Sequence, residues 1–139
     1  MQEKQDIQQT QMKMIWLALI VSNLLYIFTA NYLFLNHETS EFIFNNLNSV
    51  QKALSLLPIL PIPITFAIFH FITLKTKTPQ TLFTWAILNW AMNESVTILG
   101  LATVIYFQTF TFFYPSLITS VVLQLYMSPW RLPKVFDKN

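Results

Sequence analysis

The sequence predicts an all-α integral membrane protein with four transmembrane helices, at about residues 14–35, 54–74, 82–107 and 109–127, and a short amphipathic outer-interface segment at about 40–53. Three observations carry that expectation. Of 139 residues, 54% are apolar and only 10% charged, where a soluble domain carries about 25% charged residues. So little charge cannot cover a water-exposed surface, and it is gathered in short segments between long apolar stretches. Each of the four stretches approaches the roughly 20 residues needed to cross about 30 Å of hydrocarbon.

The first stretch follows a polar start, MQEKQDIQQTQMK, and runs through Tyr26 and Phe34 without an Ala-x-Ala-type end. It reads as a retained span rather than a cleaved leader. The second opens SLLPILPIPITF, where Pro58, Pro61 and Pro63 lack amide donors, so regular helix is expected to begin near Pro63. The third runs from Leu82 to Phe107. The fourth carries Pro115 near its start, where a first-turn proline is tolerated, and stops at SPWRLPK. The chain is thus one membrane domain with short cytoplasmic tails at 1–13 and 128–139.

The link between the first two stretches, NHETSEFIFNNLNSVQKAL, places Ile43, Leu47, Val50 and Leu54 on one helical face. Thr39 or Ser40 would cap such a helix. It either lies in the outer interface or extends the second span towards water. Orientation follows from the basic residues: Lys4, Lys13, Lys75, Lys77, Arg131, Lys134 and Lys138 fall on one side, and Lys52 alone on the other. Both termini should therefore face the cytoplasm of an inner or plasma membrane. Trp16, Trp85 and Trp130, the last beside Arg131, fall at the same interface and serve as its expected anchors.

Glu94, within NWAMNESVTILGL, lies roughly 18 Å into the third span, close to the bilayer midplane. An ionised carboxylate there costs about 2.5–3.5 kcal/mol on insertion scales, so it must be protonated, paired, hydrated or turned from lipid. The spans offer it no Lys or Arg, and His70 sits nearer the cytoplasmic end. Polar neighbours are Asn89, Asn93 and Thr97 on the same helix, Ser22, Asn23 and Asn31 on the first, and Ser116, Thr119, Ser120 and Gln124 on the fourth. Two readings stay open: an interhelical clamp of Glu94 with Asn23 or Gln124, within the bundle or between subunits, and an ion or proton pathway through the same groups. Gly100 is the expected helix-packing position.

Glu94–Ser95 followed by Ile98, Gly100 and Leu101 resembles the carboxylate helix of the rotor-ring proteolipids, the c subunits of rotary ATPases. The resemblance covers residues 94–101. It implies a proton- or sodium-binding Glu94 and a homo-oligomeric ring. The chain departs from that pattern in having one glycine and thirteen phenylalanines, in carrying the carboxylate on the third of four spans, and in lacking a second copy of the motif.

Other chemistry has no footing. Cysteine is absent, which excludes disulfides and thiolate metal sites. There is no Gly-rich phosphate loop, carboxylate pair, Cys/His spacing or nucleophile constellation, so neither enzyme activity nor a metal or cofactor is expected. The cytoplasmic segments are too short for a nucleic-acid module, and their basic residues serve topology and anionic lipid. The sequence therefore points to a non-enzymatic tetraspan protein that self-assembles into a closed homo-oligomer, with a structural or lipid-organising role. A proton or cation carrier or channel using Glu94 and an accessory subunit of a larger membrane complex are the other readings.

Overall fold

The computed structural model describes residues 2–34 and 48–133, which form helices joined by short turns, with no strand among them. Helix α1 spans Gln2–Phe34. It is helical through the polar stretch expected as a tail, because Gln, Glu, Lys and Met are good helix formers and no Gly or Pro interrupts them. Most of the expected amphipathic segment, and both of its expected caps, lie outside the described residues.

Helix α2, Ser49–Leu56, starts at a capping box. The Asn48 side chain accepts from the Gln51 amide at 2.8 Å, and the Gln51 side chain accepts from the Asn48 amide at 3.1 Å. Two orphan donors are thereby satisfied reciprocally. A 3-10 turn at Leu57–Ile59 then leads into α3, Pro61–Phe71. Regular helix resumes at Pro61 rather than Pro63, since prolines in a first turn forgo amides that would have no helical partner. The described part of the 40–53 segment thus extends the second apolar stretch.

Helix α4 runs from Pro79 to Phe107 and stops where Gln108 adopts the left-handed conformation, with φ of 52°. A turn tied by a hydrogen bond between the Thr109 and Thr111 hydroxyls follows. Helix α5 consequently spans only Phe113–Tyr126, shorter than the 109–127 read from hydropathy, because that turn takes the first positions.

Two helical segments, Asp6–Leu33 and Ser49–Lys75, are long and apolar enough to cross a membrane, and Phe113–Tyr126 is a shorter apolar helix. Helix α4 has the length, at 29 residues, but Asn89, Asn93 and Glu94 lower its apolar average.

Helix α4 is the hub, packing on α5, α1 and α3. The interior is layered. At one end Met12, Trp16, Phe69, Leu82, Ala86, Trp90, Met127 and Leu132 form an apolar cluster. At the other end Ala30, Val104, Phe113 and Leu117 form a second. Between them most buried residues are polar, among them Asn23, Asn93, Glu94, Thr97, Ser120 and Gln124, with Val96 an apolar exception. The outer surface is the converse, with Leu17, Leu24, Phe28 and Tyr32 of α1 and Ile118, Val122 and Leu125 of α5 exposed.

The C-terminal end of α5 shows why two tryptophans point inward. Its last carbonyls lack helical partners. The Trp16 indole donates to Gln124 O at 2.9 Å, the Trp90 indole to Met127 O at 2.8 Å, and the Arg131 guanidinium to Tyr126 O at 3.5 Å. Trp16→Phe keeps most of the ring's packing and deletes one of these caps. It is expected to lower stability by about 1 kcal/mol, measured by denaturant unfolding in micelles.

Candidate functional site: the buried polar layer

Glu94 is buried and turns towards α1. Its Oε1 accepts from the Ser22 hydroxyl at 2.5 Å and from the Tyr26 hydroxyl at 2.8 Å. Ser22 and Tyr26 are four apart and so share one face of α1. Ser22 has a single proton and a second oxygen in range, Leu19 O at 2.6 Å. If that proton goes to Leu19 O, the carboxyl must supply the hydrogen between Glu94 and Ser22. If it goes to Glu94, a carboxylate accepts from both hydroxyls. The same heavy-atom geometry therefore accommodates a neutral or an ionised carboxyl.

The amides form a second group beside it. Thr97 Oγ1 donates to Asn23 Oδ1 at 2.9 Å, and Asn23 Nδ2 donates to Leu19 O at 2.9 Å and to Gln124 Oε1 at 3.4 Å. These bonds join α1, α4 and α5 at one level. Asn93 and Ser120 clamp α4 to α5 reciprocally: Asn93 Nδ2 donates to Ser120 O at 2.9 Å, and Ser120 Oγ donates to Asn93 O at 3.1 Å. One turn away, Asn89 Nδ2 donates to Met127 Sδ at 3.0 Å. Each such side-chain bond contributes about 0.5–1.5 kcal/mol net, so the layer can hold three helices together without charge.

The structure therefore brings five of the six expected polar residues, Glu94, Asn93, Thr97, Asn23 and Gln124, into one layer, with different pairings, and places Asn89 one turn away against Met127. Glu94 is bonded to Ser22 and Tyr26, whereas Asn23 and Gln124 bond to each other. Tyr26 was missed because a tyrosine in an apolar run reads as an aromatic; its position one turn from Ser22 was the available signal. His70 is elsewhere, stacked on Phe66 with centroids 4.1 Å apart and hydrogen-bonded to Tyr126 at 3.2 Å. Asn31 bonds back to its own helix at Ile27 O.

Gly100 sits against α5, where a Cβ would come within 2.7 Å of Ser116 Cβ. Of the expected anchors, Trp16 is buried, Trp85 is partly buried, and Trp130 is exposed with its ring edge-on to Trp16 at 5.0 Å. Arg131 lies over the Tyr126 ring at 4.2 Å.

Among the described residues, no three His, Cys, Asp or Glu side chains gather where a metal ion could be held. The layer offers one carboxyl, two hydroxyls beside it and a set of neutral amides, a composition suited to helix clamping and to holding a proton. No protein-family model, curated protein or solved structure matches this chain.

Proposed function

We propose that this chain is an integral membrane protein with four spans, formed by α1, the α2–α3 run, α4 and α5, and that it acts as a non-enzymatic structural subunit. The observation that carries the reading is the inverted distribution of side chains. A buried layer of amides, hydroxyls and a carboxyl lies between the two apolar clusters, and long aliphatic and aromatic side chains cover the outside, with Phe28 73% and Tyr32 78% exposed. Lipid is the solvent that such a surface suits, and small and polar groups are what hold helices together within it.

The charges support a sidedness. Lys13, Lys75, Lys77 and Arg131 are exposed around the end built on Trp16 and Trp90, which is the end proposed to face the cytoplasm. The α4–α5 turn at the other end is uncharged.

Self-association into a closed homo-oligomer is the assembly proposed here, with contacts on apolar faces, since Leu17, Leu24 and Phe28 of α1 and Ile118, Val122 and Leu125 of α5 are exposed. Helix α5, at 14 residues, is about 21 Å long and falls short of an about 30 Å core. Packing against a neighbouring subunit or thinning the surrounding bilayer relieves that mismatch, which gives a lipid-organising role a physical basis.

Native mass measurement in gentle detergent tests the assembly. One closed stoichiometry is expected, and a monodisperse monomer overturns it. Because the chain has no cysteine, single cysteines test the topology. Lys77→Cys should react with an impermeant maleimide from the cytoplasmic side and Gln108→Cys only from the other.

A second reading rests on the Ser22 geometry, which accommodates Glu94 with or without its proton: a proton or cation carrier, in line with the ring-proteolipid resemblance at 94–101. Glu94→Gln keeps an acceptor for Tyr26 and cannot exchange a proton. Under this reading it abolishes proton flux in reconstituted vesicles and leaves assembly intact. Under the first reading the wild-type chain conducts nothing.

A further inference from the structure

Among the described residues, four buried side-chain polar atoms have no hydrogen-bond partner: Thr65 Oγ1, Asn89 Oδ1, Asn93 Oδ1 and Gln124 Nε2. Buried polar groups are otherwise almost always bonded, so each requires a reason. Their placement supplies one. Asn89 is anchored to Met127 and Asn93 to Ser120, and Gln124 lies on α5 between those two anchor points. The two orphan carbonyls and the orphan amide are therefore confined to one stretch of the α4–α5 seam.

Thr65 reaches the same level from α3. Phe69, one turn away in one direction, packs in the cluster with Ala86, Trp90 and Met127, and Ile62, on the other side, lines a cavity with Val96 and Ser116. The level between those two contacts is that of Asn89 and Asn93.

We propose that Thr65, Asn89, Asn93 and Gln124 form a binding site for an internal water molecule that ties α3 to the α4–α5 seam. The donor and acceptor count matches. A water can donate its two hydrogens to Asn89 Oδ1 and Asn93 Oδ1 and accept from Gln124 Nε2 and Thr65 Oγ1, which is four bonds, at the upper end of what buried waters make. The orientation of the Gln124 amide is fixed by its neighbour. Asn23 Nδ2 donates to Gln124 Oε1, and a flipped amide would set two N–H groups against each other. With an N–H donor and no carboxylate among its four members, the site suits a neutral water better than a cation.

The test uses the intact chain in nanodiscs. With glutamine side chains ¹⁵N-labelled, the Gln124 Nε2 protons are expected to show a cross-peak to a long-lived water, and Gln124→Met is expected to remove the water's other contacts. In parallel, X-ray radiolysis in ¹⁸O water is expected to label Met127, which is 0% exposed and whose sulfur touches Asn89, alongside the exposed Met14. A Gln124 amide without a water cross-peak, together with an unlabelled Met127 at doses that label Met14, overturns the proposal. Resonances of the site that titrate with sodium but not with choline would identify a cation instead and overturn it equally. Both measurements on the wild-type chain stand even if the variant fails to fold.

Discussion

Trp90→Ala is expected to be among the most damaging single substitutions in the chain, lowering stability by about 3 kcal/mol, the lower end of the range for deleting a buried large aromatic. Trp90 is fully buried in the cluster that includes Phe69, Leu82, Ala86 and Met127, and its indole caps Met127 O at 2.8 Å. Under the proposed membrane placement the unfolded reference already sits in hydrocarbon, so little transfer energy is lost on truncation. The cavity remains, because its lining loses dispersion contacts that lipid chains cannot restore inside a packed bundle. Trp90→Phe separates the two contributions, keeping most of the volume and losing the cap, and should cost about 1 kcal/mol. Reversible unfolding in bicelles, read by the remaining tryptophan fluorescence, measures both. Equal losses for the two variants would show that capping, not packing, is what Trp90 supplies.

The sequence made the polar layer legible because polar side chains are conspicuous inside long apolar runs. In a run averaging apolar, Asn23, Asn89, Asn93, Glu94 and Gln124 stand out by type alone, and the depth of each follows from its distance to the end of its run. What depth cannot give is azimuth. Glu94 and Asn93 are adjacent in sequence and point towards different helices, so the expected pairing of Glu94 with Asn23 or Gln124 gave way to Ser22 and Tyr26. Helix ends were legible only where local chemistry declares them. The Asn48–Gln51 capping box was present in NSVQ but was overshadowed by earlier candidate caps. The left-handed stop at Gln108 carries no glycine to announce it, and so α5 was read too long. The inward turn of Trp16 depends on where the carbonyls of α5 end, a fact that lies 108 residues away in the chain.

Gly100→Ala separates packing within the chain from packing between chains. An added Cβ would meet Ser116 Cβ at 2.7 Å, Ser116 Oγ at 3.0 Å and Phe113 Cα at 3.5 Å. A Cβ is fixed to its backbone and cannot rotate away, so α5 must shift from α4. The Asn93–Ser120 clamp lies along the same seam, two turns from Gly100 on α4 and one turn from Ser116 on α5, and would be strained with it. The expected loss is about 1–3 kcal/mol, the usual cost of overpacking. Ser116→Gly in the same chain removes the opposing atoms and should recover part of that loss, although it gives up the Ser116–Phe112 bond and adds helix entropy. A double mutant that loses less than the sum of the two single losses, a negative interaction energy when losses count as positive, is thus the expected signature of direct contact. In a ring whose subunits pack through glycine, the alanine would change the oligomer's stoichiometry instead. Here Gly100 faces Ser116 of its own chain, so stoichiometry by native mass should stay constant while unfolding shifts, and the opposite result would move Gly100 to the subunit interface.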